Sequence, residues 1–150
     1  MTRSISGKDL YFVAVKAFLR KGGKLLILKD SFGVWDLPGG RLLPAEFKTP
    51  LPKVVARKMR EELGESVRFS LKKPAVFLRH ERLEHTPQGK VPVRIFAVGY
   101  EARLLKGDIR LSPRHTEMLW VPVRDFRPER YFRGGWLTGV KEYLRLVRKK

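Results

Sequence analysis

The chain has 150 residues, with 33 Lys and Arg against 15 Asp and Glu, a net charge of +18 and no cysteine. That composition excludes a disulfide framework and any thiolate metal site. Hydrophobic content of 43% with 11% aromatics excludes a disordered chain and suits one domain, residues 1–150, with a core of its own.

A positive field attracts polyanions, so nucleotides and RNA are the expected partners. A merely solvated Lys/Arg surface stands beside that reading, because the basic residues are scattered and not grouped in one block. Residues 1–9 carry no apolar signal core, and no apolar run is long enough to span a bilayer. The expectation is a cytoplasmic protein without a membrane partner.

In chain order, residues 11–19 read as a buried strand, Arg20-Lys21-Gly22-Gly23 as a turn, and residues 24–29 as the return strand of a hairpin. Trp35-Asp36-Leu37-Pro38 leads into Gly39-Gly40. A segment punctuated by Pro44, Pro50 and Pro52 follows, in which Thr49 is the expected cap of a helix running to Leu63, with Gly64 closing it. Residues 67–71 and 74–80 are extended, His85-Thr86-Pro87-Gln88-Gly89-Lys90 is a turn, and residues 91–105 form a long strand. Residues 119–123 make a short strand. Leu137, Val140, Tyr143, Leu144 and Val147 recur at helical spacing, and Arg148-Lys149-Lys150 suits the negative end of that helix's dipole. The order of strands, helix, strands, helix implies an α/β (α+β) sandwich.

In so basic a chain, clustered acids stand out. Glu46 follows Gly39-Gly40 by six residues, and Glu61-Glu62 lie on the first helix. At about 100° per residue with Val55 at zero, Met59 and Leu63 fall near ~40° and ~80°, the apolar face. Glu62 falls at about 340°, on the edge of that face, Lys58 at about 300° and Glu61 at about 240°. A carboxylate at a core edge needs a cation or hydrogen-bond donors. The bland alternative is a solvated face with Arg57–Glu61 and Lys58–Glu62 pairs four residues apart.

Residues Gly40, Glu46, Arg57, Met59, Glu61, Glu62 and Gly64 resemble the Nudix box, G-x5-E-x7-R-E-U-x-E-E-x-G-U with U aliphatic, at seven of its nine fixed positions. The spacer from Glu46 to Arg57 is ten residues instead of seven, Lys58 replaces a Glu, and Glu65 replaces the last aliphatic. The resemblance implies a Nudix-like α/β/α sandwich with a mixed β-sheet. It also implies a metal-dependent hydrolase that cleaves the diphosphate bridge of a nucleoside diphosphate linked to another group. By the same resemblance Glu61, Glu62 and Glu46 would bind Mg²⁺ or Mn²⁺, Arg57 would orient a carboxylate such as Glu46, and Glu62 or Glu117 would serve as base. Gly39 and Gly40 would let phosphate approach the backbone, and Lys58 would either weaken metal binding or meet the phosphate itself. Two rivals are a catalytically weak or inactive nucleotide- or RNA-binding module, and an RNA 5′-end pyrophosphohydrolase.

Other candidates carry less. Trp35 and Phe32 could stack on a base or belong to the core. Arg79, with His80, Arg82 and Arg94, could line a phosphate groove. His115 is either a surface histidine or a site residue, and the surface is the expectation.

Overall fold

The computed structural model describes residues 6–148. The apolar run near the N-terminus is buried on both faces because it becomes the central strand, β1 (Phe12–Lys21). β1 runs parallel to β6 (Gly89–Lys106), which pairs with the 19-residue edge strand β5 (Arg68–Thr86). On the other side, β1 meets β2 (Lys24–Asp30) only at the Gly22-Gly23 turn, through Arg20↔Leu25 and Lys21↔Lys24. The hairpin then splays. The freed edge of β1 is taken by the three-residue β4 (Gly39–Arg41), while β2 turns to β3 (Trp35–Asp36) and to β7 (His115–Pro122). The sheet is therefore mixed, in the order β3-β2-β1-β6-β5.

Alternating side chains feed two separate cores. Val15, Ala17 and Leu19 face the first helix, α1 (Leu51–Leu63), and pack with its Val54, Val55, Met59 and Leu63. Ala14 and Phe18 face the second helix, α2 (Gly134–Arg148), and pack with Trp136, Val140, Tyr143 and Leu144. Helices on both faces make the expected α/β/α sandwich. No helix among the described residues is long and apolar enough to cross a membrane.

Four local readings change. Thr49 does not cap α1: its N–H donates to the Glu46 carbonyl, and the helix opens at Pro50, whose carbonyl accepts from Lys53 and Val54 without any side-chain cap. Pro52, two residues into the helix, has no N–H to leave unpaired, so a cap is less needed. β5 is one continuous strand through residues 81–86, because β6 pairs with it along that whole length. β7 begins at His115 instead of residue 119, because β2 extends to Asp30 and supplies the partner edge. Arg148 does more than complement a dipole, since it donates to the carbonyls of Val123 and Phe126 and ties down the turn after β7. Lys149 and Lys150 lie outside the described residues.

Candidate active site

The site forms where β4 passes the last two turns of α1. Gly39 has φ +140, and a Cβ there would stand 2.1 Å from the Val15 carbonyl oxygen. Only glycine lets β4 lie this close to β1. Its N–H is turned toward α1 and donates to Glu62 Oε1 at 2.9 Å. Gly40 serves differently. The space above it holds the Lys58 side chain, whose Cε would be 2.4 Å from an added Cβ.

Glu62 therefore sits as its helical angle predicts, with a side chain only 13% exposed. Burial pushes its carboxyl above the usual range, opposed by the Gly39 N–H and by the positive charges of Lys16 and Lys58. Lys58 Nζ lies 3.8 Å from Glu62 Oε2 and 3.4 Å from Glu61 Oε1. Glu61 is the most open of the three acids and also accepts from Arg57 Nη1 at 2.8 Å. The Arg57 hydrogen bond holds the Glu61 carboxyl below its usual range.

Glu46 takes the expected partner. Arg57 Nε and Nη2 reach its two oxygens at 2.6 and 2.7 Å, a two-pronged pair of the kind only arginine makes. The same carboxylate accepts the Leu43 N–H at 2.8 Å, so the short 3₁₀ turn at Pro44–Glu46 is anchored to the middle of α1. Glu46, Arg57, Lys58, Glu61 and Glu62 thus form one connected cluster at the Gly39-Gly40 strand. The ten-residue spacer does not disturb it, because the turn and residues 47–50 take up the length before α1 begins.

The remaining sequence candidates are not brought into that cluster. Glu117 lies inside β7 and not in the loop before it, and it pairs with Lys29 Nζ at 3.1 Å across the β2–β7 ladder. Arg79 is exposed on β5, separated from β4 by β1 and β6. Three strand spacings put it about 14 Å away across the sheet. It lines a cavity of about 490 Å³ beside α2, together with His80 and Arg94. Trp35 packs against Tyr131 on the α2-side core, with the ring centroids 5.4 Å apart, and Lys29 Nζ lies 5.8 Å over its ring. Phe32 is 89% exposed in the turn after β2.

Lys16, Asp36 and Ser112, near the site, escaped the sequence reading, and His115 is placed differently from it. Lys16 is only 5% exposed on β1, pairs with Asp36 Oδ2 at 2.9 Å and lies 5.0 Å over the Trp136 ring. His115 is half-buried and not a surface histidine: its Nδ1 bonds Ser112 Oγ at 2.9 Å, and burial lowers its pKa. The Ser112 N–H donates to the Glu62 carbonyl, and that of Arg110 to the Leu63 carbonyl, so this loop satisfies the open end of α1. The signal for Lys16 was present, as a lone lysine in the middle of an apolar run. Nothing local distinguished Ser112.

A loop–helix–loop that gathers a glycine strand, an Arg–Glu clamp and two acids on a mixed sheet between helices has its counterpart among known proteins. The NUDIX domain family matches residues 10–137. The chain belongs to the Nudix family. No curated protein matches the sequence significantly. Among solved structures, a MutT protein from Methanosarcina mazei Go1 is similar at TM-score 0.70 and 24% identity, covering 97% of this chain and 98% of that one. An ADP-ribose pyrophosphatase from Streptococcus suis 89-1591 aligns at TM-score 0.61 and 16% identity, covering 93% of each chain. The NUDIX domain of Shewanella oneidensis NrtR complexed with ADP ribose aligns at TM-score 0.59 and 17% identity, covering 93% and 90%. At these identities the likeness speaks for the Nudix fold alone.

Proposed function

We propose that this Nudix domain is a pyrophosphohydrolase that acts on a nucleoside diphosphate linked to another group. The observation that carries the reading is the Glu62 carboxylate, held by the Gly39 N–H at 2.9 Å with the Lys58 ammonium 3.8 Å away. A buried carboxylate whose pKa is raised makes a better general base near neutral pH than an exposed one. Glu62 accepts a proton from water as the water oxygen bonds to phosphorus. The bridging P–O bond breaks and the second phosphate leaves. Lys58 offsets the charge that builds on the phosphate oxygens. Arg57 positions the acids by holding Glu46 and Glu61 at once.

Nudix hydrolases generally use divalent metals such as Mg²⁺ or Mn²⁺. As they stand, the donors here do not fit a resident ion of that kind. Hard cations of this size need several oxygen ligands at about 2.0–2.1 Å. Both Glu46 oxygens are bound to Arg57, Glu61 is bound to Arg57 and Lys58, and Glu62 faces Lys58. No group of three acids or histidines able to hold a metal ion occurs among the described residues.

The rest of a substrate has a supporting surface nearby. Arg41, the next residue after Gly39-Gly40, pairs with Glu84 at 2.7 Å and lies over the Phe12 ring at 4.7 Å. From there a groove of about 900 Å³ runs under the β5–β6 arm past Leu10, Phe12 and Val93. ADP-ribose, bound in the Shewanella oneidensis structure and the compound for which the Streptococcus suis pyrophosphatase is named, is the first compound to test.

One observation favours a second reading, in which the domain binds a nucleotide or RNA with little turnover: the lysine between the two acids. Phosphorus NMR of the protein with ADP-ribose, a UDP-linked sugar and 5′-triphosphorylated RNA, each with and without Mn²⁺, separates the two. Release of two monophosphate products from a sugar compound supports the hydrolase. Line broadening of an uncleaved compound throughout supports the binding module.

A further inference from the structure

We propose that the Lys58 ammonium is the resident cation of the Glu61–Glu62 pair and the group that grips the ligand's diphosphate, so that the diphosphate is held without a divalent ion. This rests on the diphosphate ligand proposed above.

Three observations meet here. Nζ lies within 4 Å of one oxygen on each carboxylate. The side chain is only 14% exposed and lies across Gly40, in space that any other residue at position 40 would fill with its Cβ. The lysine is therefore seated and not swinging in solvent. Third, the cluster's charge is nearly balanced: Glu46, Glu61 and Glu62 face Arg57 and Lys58, leaving one net negative charge. A glutamate at position 58 would leave three. A dication is drawn to a site of the second kind far more strongly than to the first, whereas an ammonium beside a half-open carboxylate can still turn donors toward phosphate oxygens. Glu62 and Lys58 then divide the labour, one taking a proton and the other holding the anion.

The test has two arms, neither of which reads hydrolysis. Calorimetry in EDTA with inorganic pyrophosphate compares the unaltered protein with Lys58→Met, which keeps the stem and removes the charge. Electron paramagnetic resonance with Mn²⁺ compares the unaltered protein with Lys58→Glu. Lys58→Met should weaken pyrophosphate binding at least ~10-fold, and Lys58→Glu should tighten Mn²⁺ binding at least ~10-fold. The proposal is overturned if the unaltered protein binds no pyrophosphate in EDTA, if Lys58→Met binds it equally well, or if Lys58→Glu binds Mn²⁺ no better than the unaltered protein. Should circular dichroism show Lys58→Glu unfolded, Lys58→Met serves in the Mn²⁺ arm too, since loss of the ammonium alone must tighten the ion. Failure of the hydrolase reading is a different result, the absence of cleaved product from every diphosphate compound with and without Mn²⁺, and leaves both binding arms readable.

Discussion

Replacing Asp36 with asparagine isolates a buried ammonium. Lys16 is 5% exposed, and its Nζ has the Asp36 carboxylate at 2.9 Å, the Trp136 ring at 5.0 Å and the Leu37 carbonyl at the limit of hydrogen bonding, 3.5 Å. In Asp36→Asn the new amide oxygen would still accept the Leu37 N–H that Asp36 Oδ1 now takes at 2.7 Å, so the local backbone should hold. What goes is the counter-charge. Leaving one member of a buried pair uncompensated costs about 3–5 kcal/mol. Because Asp36 itself is 27% exposed and water can approach, the lower end, about 3 kcal/mol, is expected. For a domain of this length that lowers Tm by about 6–12 °C. Lys16→Met should behave differently. It keeps the unbranched stem against Trp136 and leaves a carboxylate that can reach solvent, so it should cost less than about 1 kcal/mol. The double variant should lie close to Lys16→Met alone. Urea unfolding at pH 7.5, followed by tryptophan fluorescence, measures all three. A loss below about 1 kcal/mol for Asp36→Asn, or equal losses for the two single variants, would show that the ammonium is not truly desolvated.

Glu62→Gln should lower turnover of the cleaved compound at least ~10²-fold, the scale for losing a general base. Its urea midpoint should hold or rise, since an amide can still accept the Gly39 N–H without the cost of burying a charge; a near-normal rate would remove Glu62 from the chemistry. Gly39→Ala should lose more than about 2 kcal/mol on unfolding, because both its positive φ and the Val15 carbonyl oppose a Cβ. Gly40→Ala meets only the flexible Lys58 side chain, so it should fold nearly as well as the unaltered protein but weaken pyrophosphate binding in calorimetry. His80, stacked on Trp136 at 4.5 Å, has its pKa lowered to about 4, chiefly by burial and then by Arg82. A base with a lowered folded pKa contributes stability that is full above about 6.5 and lost as pH falls toward 4. Urea midpoints should therefore drop between pH 6.5 and 4, by up to about 3 kcal/mol, and His80→Phe should flatten that part of the curve. Deleting three residues from positions 47–50 should alter substrate preference more than the urea midpoint, because Phe47 is 87% exposed and the Glu46–Arg57 clamp lies on either side of the cut. An unfolded product would show that this turn belongs to the core.

Features set by neighbours along the chain were legible without coordinates. The 3.6-residue repeat of Val55, Met59 and Leu63 already placed Glu62 at the core edge with Lys58 and Glu61 in the adjoining sector, because a helix of known rise and twist has no freedom to arrange them otherwise. The burial of β1 followed from its unbroken apolar run, and the resemblance at Gly40, Glu46, Arg57 and Gly64 pointed to the fold. Contacts between segments far apart in the chain were decided by the sheet. The β1–β2 hairpin splays after two residue pairs, and that gap admits β4 and brings Gly39 to Glu62. Arg79 and Glu117 had suitable chemistry but ended on strands with other partners, since strand order depends on which edges remain open and not on local pattern. Lys16 meets Asp36, and the Ser112 loop meets the end of α1, for the same reason, from elements that only the packed sheet brings together. Lys58 shows the division most plainly. Its presence in place of an acid was visible in the sequence, but its place over Gly40, between two carboxylates, exists only because β4 carries no side chain there.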